Sequence, residues 1–143
     1  MSRKNLFIIL LLITLAVIYV FNFTSVLQKE TIEILYQVSP RLGRGKSALE
    51  NAVVFSLNGK YELTSLKVVE DRDLKTNKYP HALWHLVSHS NSIPTKAIIY
   101  GVPVRGMQPQ VAKLKPAPLK KNVPYVLLVE AGEIKGQTTF EIR

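Results

Sequence analysis

The sequence predicts an all-β, antiparallel sandwich preceded by one transmembrane helix, and three observations lead to this fold class. An uncharged apolar run fills residues 6–23. About six to eight short segments rich in β-branched and aromatic residues follow it, separated by Pro, Gly, Asn and Ser. No segment after residue 31 shows a long helical period. At 143 residues, the chain has room for one small domain beyond the helix.

The N-terminal run, LFIILLLITLAVIYVFNF, is interrupted only by Thr14 and Asn22. As a helix its residues span about 27 Å, close to the roughly 30 Å hydrocarbon thickness of a bilayer. A cleaved signal peptide is the alternative, but its apolar core is usually about 7 to 15 residues and small residues follow it. Here the bulky IYVFNFTS follows. We therefore predict an uncleaved signal anchor, with a cytoplasmic tip at 1–5 and a single-pass transmembrane segment at 6–27.

Charge around the run predicts its orientation. Arg3 and Lys4 precede it, whereas Lys29 after it is offset by Glu30 and Glu33. The positive-inside bias keeps the N-terminus in the cytoplasm, so the domain is expected outside, held near the bilayer by a short connection. The chain has no cysteine, which excludes lipid acylation, disulfides and thiolate chemistry. A bacterial inner membrane, with the domain facing the periplasm or cell exterior, fits this composition best.

Basic residues dominate the domain. Without Arg3 and Lys4, 17 Lys and Arg oppose 10 Asp and Glu, a net charge of +7. Anionic lipid headgroups or cell-wall glycan are the partners that such a surface attracts, although a merely solvated basic surface is the simpler interpretation. Nucleic acid is not expected, because the domain lies outside the cell and no nucleic-acid-binding motif is present. The candidate contacts are Arg41, Arg44, Lys46, Lys113, Lys115, Lys120 and Lys121.

Strand-like segments follow the anchor. The pair Asn58-Gly59 lies between two apolar runs and predicts a hairpin over 52–69. Near the C-terminus, the alternation in QTTFEI places Phe140 on an inward face. Further strands are expected at 32–38, 96–101 and 125–132.

One stretch, PLKKNVPYVLLVEAG, resembles the corner and following strand of fibronectin type III and related immunoglobulin-like domains. Leu119 precedes Tyr125 by six residues, as in that family. The resemblance implies that the Tyr125 hydroxyl bonds backbone a few residues upstream, and that Trp84 is the core tryptophan of the second strand. It covers 59–143, leaving 28–58 as extra membrane-proximal strands and a basic loop. Residues 28–143 are nevertheless expected to form one compact domain.

The phrases LWHLVS, YGVPVRGM and YVLLVEAGEIKGQ also look like an uncharacterised bacterial membrane-anchored family with this kind of domain. That resemblance implies no activity.

Three histidines, in YPHALWHLVSHS, pose the question of a metal site. On a helix, His81, His85 and His89 would lie on one face about 6 Å apart, and two of them could bind zinc. On a strand, histidines four residues apart lie about 13 Å from each other. We favour the strand, because it turns Trp84 and Leu86 inward together. A metal site and a pH-sensitive contact remain the weaker alternatives.

Other patterns with catalytic potential are incomplete. LGRGKSAL has Pro40 where a phosphate-binding loop requires glycine. Glu70, Asp71 and Asp73 form an acidic cluster, yet the glycine and spacing of a calcium loop are absent, so a solvated turn is expected. We therefore predict a protein that is not an enzyme and has no cofactor.

The function predicted from sequence is binding or scaffolding near the inner membrane. The expected partner is an envelope protein that contacts a sheet face or an exposed edge strand. The first alternative is electrostatic binding of anionic wall glycan or lipid headgroups. The second is metal binding through the histidines.

Overall fold

The structure is a computed structural model that describes residues 3–26, 30–42 and 49–143. It divides into two compact units, Met1–Glu30 and Thr31–Arg143. The first unit contains helix α1, Arg3–Val26, whose segment Arg3–Asn22 has a mean hydropathy of 2.4 and is long and apolar enough to cross a membrane.

Two polar side chains of α1, Thr14 and Asn22, bond backbone carbonyls within the helix. The Thr14 hydroxyl donates to the Leu10 carbonyl at 2.9 Å, and the Asn22 amide donates to the Ile18 carbonyl at 3.0 Å. A polar group in hydrocarbon is costly without such a bond, so both residues suit an apolar helix.

The second unit is mostly antiparallel β-sheet, as predicted. One sheet has three strands in the order β1-β2-β5, and the other has five in the order β6-β4-β3-β7-β8. The strands are Ile34–Leu42 (β1), Leu49–Tyr61 (β2), Ser65–Glu70 (β3), Ala82–Val87 (β4), Thr95–Ile99 (β5), Gln108–Pro109 (β6), Pro124–Ala131 (β7) and Ile134–Glu141 (β8), and a short helix α2, Asp71–Thr76, follows β3.

Both sheets contribute side chains to one hydrophobic core. Side chains that alternate along each strand form this core. On β2, for example, Val53, Phe55 and Leu57 are buried, whereas Ser56 is exposed. The Phe55 ring meets the Phe140 ring of the other sheet edge-on, with centroids 4.9 Å apart. Phe140 is 1% exposed and lies on the buried face of β8.

The hairpin predicted over 52–69 is wrong. Strand β2 continues through Asn58 and Gly59 to Tyr61, and it pairs with β1 and β5 rather than with β3. Gly59 lacks the positive φ that the turn would need, and the Asn58 N–H donates to the Glu33 carbonyl at 3.0 Å. The expected boundary between 58 and 59 therefore falls inside a strand.

The position assigned to Trp84 also needs correction. Trp84 is buried in the core, but it lies on β4, the fourth strand, and Phe55 is the buried aromatic residue of the second strand. The misplacement follows from treating residues before 59 as extra, because β1 and β2 form a sheet with β5 and fill part of the same core.

The backbone bond implied for Tyr125 is present. The Lys120 N–H, five residues upstream, donates to the Tyr125 hydroxyl at 2.9 Å. The Tyr125 ring is buried, and Leu119 packs half-buried against the same core. This bond orients the chain as it enters β7.

Candidate functional site

The histidine segment forms strand β4, as favoured from the sequence. Trp84 and Leu86 are buried, His85 is half-buried, and His81 and His89 are exposed beyond the two ends of the strand. Among the described residues, no group of three His, Asp or Glu side chains could hold a metal ion.

His85 lies in an environment that disfavours its charged form. Partial burial and the nearby Lys67 ammonium, on the paired strand β3, lower the pKa of His85, and a hydrogen bond from its side chain to Gln110 and the charge of Glu130 oppose this only in part. The neutral imidazole therefore prevails at neutral pH.

The acidic cluster is occupied by local contacts. Asp71 and Asp73 lie in the short helix α2 instead of a turn, and Glu70 is the last residue of β3. Asp71 forms an ion pair with Lys75 at 2.6 Å. Asp73 accepts the His81 backbone N–H at 2.6 Å and a bond from the Asn77 amide. An open depression of about 400 Å³ lies beside it, and the Thr76 hydroxyl in its lining donates to the Arg72 carbonyl at 2.9 Å.

Basic residues are concentrated, without acidic ones, in one long segment of the sequence. No carboxylate occurs anywhere in the 56 residues from 74 to 129, which carry eight Lys and Arg. This signal was available in the sequence, although only its densest cluster was singled out. Lys113, Lys115, Lys120 and Lys121 are exposed, and none forms an ion pair with another residue that the structure describes.

The remaining basic candidates lie apart from that segment. Arg41 is exposed near the end of β1. Arg44 and Lys46, together with most of the LGRGKSAL stretch, fall outside the described residues.

Strand β5 presents a free edge, which the sequence did not reveal. The Tyr100 N–H bonds the Val53 carbonyl at 2.9 Å, so along this ladder the backbone groups of Ile98 also face β2. The groups of Ala97 and Ile99 alternate to the opposite side. There the Ile99 carbonyl accepts the Val102 N–H at 3.0 Å, while the Ala97 N–H and carbonyl bond no other described residue.

An apolar groove of about 310 Å³ runs beside this edge. It is lined by residues 93–95, 97–99 and 102–105, of which only Arg105 is charged. The exposed Lys96 adds a second positive charge on the same strand. Open backbone groups next to an apolar groove are the arrangement that accepts an added strand.

Comparison of the chain with known protein families, with curated proteins and with solved structures found no match in any of the three.

Proposed function

We propose that this protein is a membrane-anchored binding subunit of a bacterial envelope, without catalytic activity. The helix α1 serves as its single-pass anchor in the inner membrane. Arg3 and Lys4 keep the N-terminus in the cytoplasm, and the β-domain faces the periplasm or cell exterior. The length and hydropathy of α1 support the anchor.

The domain is, in this proposal, an immunoglobulin-like sandwich of the fibronectin type III kind. If β6 is left out, the remaining seven strands can be lettered A to G in chain order. The order β1-β2-β5 then corresponds to A-B-E, and the order β3-β7-β8 corresponds to C-F-G. The bond from Lys120 to the Tyr125 hydroxyl supports the same assignment. Strand β4 pairs with β3, whereas the fourth strand of an immunoglobulin constant domain lies beside the fifth.

The free edge of β5 is the observation that carries the binding role. An extended segment of a membrane-associated protein would pair with the Ala97 backbone and place an apolar side chain in the adjoining groove. Because Lys96 and Arg105 flank this site, the segment is expected to carry a carboxylate as well.

Site-specific photo-crosslinking in cells tests this role. A photoreactive residue at position 97 or 102 of the full-length protein should crosslink to one discrete protein, and the crosslink should persist at high salt. The same probe at Thr139, exposed on β8, should not produce that product. Equal crosslinking from position 139, or no protein product from either edge position, would contradict the proposal.

A pair of substitutions at one residue separates backbone pairing from simple proximity. Ala97→Pro removes the outward N–H without breaking a bond to β2, so the crosslink from position 102 should be lost. Ala97→Ser retains the N–H and should retain the crosslink.

A further inference from the structure

We propose that residues 111–116, named here the lysine loop, form a second binding site, which contacts an anionic membrane surface. Val111 and Leu114 would enter the headgroup region, and the lysines would bind lipid phosphates. The inference rests on the proposed anchoring but not on the β5 edge.

The lysine loop is held at both ends. The Gln110 N–H donates to the His85 carbonyl at 3.1 Å, and the Ala117 N–H donates to the Leu83 carbonyl at 2.9 Å. The Ala117 carbonyl in turn accepts the Tyr100 hydroxyl at 2.6 Å. Two carbonyls only two residues apart on β4 therefore fix the ends of a six-residue excursion. The backbone of the loop is therefore fixed before binding, which reduces the conformational entropy that binding would cost.

Within the lysine loop, apolar and basic side chains alternate at the surface. Two aliphatic side chains are exposed to solvent here, Val111 at 58% and Leu114 at 54%. The Leu114 N–H donates to the Val111 carbonyl at 3.2 Å, and Lys113 between them has a left-handed φ of 66°. The tight turn brings the two aliphatic residues together next to Lys113 and Lys115.

Lys120 and Lys121, a few residues further along the chain, are also exposed, and their backbone is fixed. The Lys120 N–H donates to the Tyr125 hydroxyl, and the Lys121 backbone pairs with Ile142 in an isolated β-bridge. Residues 74–129 contain no carboxylate, and none of the four lysines forms an ion pair with another described residue. Exposed lysines without ion-pair partners are attracted to anionic lipid.

The exposed aliphatic pair favours lipid over a wall polymer. Phosphates of either source would bind the lysines, but Val111 and Leu114 gain free energy only where they leave water. Basic residues interleaved with aliphatic ones are typical of surfaces that lie at the membrane interface.

The experiment uses the absence of cysteine from the natural chain. The full-length Ala112→Cys variant, labelled with an environment-sensitive fluorophore, is reconstituted into nanodiscs of phosphatidylcholine with or without phosphatidylglycerol. In phosphatidylglycerol discs the emission should shift to shorter wavelength and be quenched by a lipid-borne quencher. Both effects should weaken with added salt and be small in phosphatidylcholine discs.

Charge and apolar variants define the contact. Changing Lys113, Lys115, Lys120 and Lys121 to Gln should lower the ratio of membrane-bound to free loop by about fivefold for each lysine removed. The matched control changes Lys60, Lys75, Lys78 and Lys135 to Gln, an equal change in net charge, and should leave the signal in place. Val111→Ser with Leu114→Ser should reduce quenching in phosphatidylglycerol discs.

Three results would overturn the inference. The first is an identical, unquenched spectrum in both disc types, and the second is an equal loss in the matched control set. The third is a label that responds to soluble poly(glycerol phosphate) but not to lipid, which would assign the loop to a wall polymer. Failure of the protein to co-elute with discs would instead refute the anchoring, and crosslinking from β5 reports separately on the edge.

Discussion

Tyr125 connects the chain before β7 to the core through a single hydroxyl. Tyr125→Phe leaves the partly buried Lys120 N–H without its acceptor, so we expect the free energy of unfolding of the 31–143 unit to fall by about 1 to 2 kcal/mol. Urea denaturation measures this. Tyr61→Phe is the control, because its bond to Asn58 is exposed and should cost less than about 0.5 kcal/mol. An equal loss in both variants would refute the role given to Tyr125.

His85 predicts a pH dependence of stability. Its pKa is lowered in the folded state, so below the unfolded value of about 6.5 the unfolded chain binds more protons than the folded one. The contribution of neutral His85 to the free energy of unfolding is complete above about pH 6.5. It decreases as the pH falls from that value toward the lower pKa of the folded state. His85→Gln should flatten the decline in denaturant midpoint as the pH falls below about 6.5. Superimposable profiles of wild type and His85→Gln would contradict this.

At the scale of elements, the sequence predicted strand character better than strand partners. Alternation around Trp84 and Phe140 was enough to indicate β4 and β8, because side-chain direction is a local property. The Asn58-Gly59 pair led to a wrong prediction of a turn. Pairing with the β1 side satisfies the Asn58 N–H, and β2 continues past the expected turn. Similarly, Tyr100 bonds Ala117 only because the chain after β5 returns along β4, and no local pattern encodes that path.

Gly136 allows the start of the domain to approach β8. A Cβ added at Gly136 would lie 2.3 Å from the Ile32 carbonyl oxygen and 2.7 Å from its Cβ, where Ile32 donates its N–H to Lys135. We expect Gly136→Ala to lower the free energy of unfolding by about 1 to 3 kcal/mol, since backbone must shift. Gly59→Ala, whose Cβ would meet only the Tyr61 side chain at 3.4 Å, should change it by less than about 0.5 kcal/mol in thermal or urea unfolding. Comparable effects of the two substitutions would contradict the close approach.

For the whole molecule, the two candidate surfaces differ in how far sequence could reveal them. The four lysines and the missing carboxylates are matters of composition, so the basic segment could be read directly from the chain. The presentation of Lys113 and Lys115 on a loop held at Gln110 and Ala117 could not be read in this way, because both bonds reach β4 from a distant part of the sequence. The β5 edge was equally hidden, since an edge is defined by the order of all strands in its sheet.

The orientation of the full-length chain is the property on which both proposals depend, and single cysteines test it. In a chain without natural cysteine, Ser2→Cys reports on the N-terminus and Glu133→Cys on the exposed turn before β8. If Arg3 and Lys4 keep the N-terminus inside, as proposed, an impermeant maleimide should label position 133, but not position 2, in spheroplasts, and should label both after lysis. Alkaline carbonate should leave the protein in the membrane pellet. Labelling at position 2 before lysis would indicate the opposite orientation and contradict the proposal. Release by carbonate, with loss of the position 2 label from the mature band, would indicate a cleaved signal peptide.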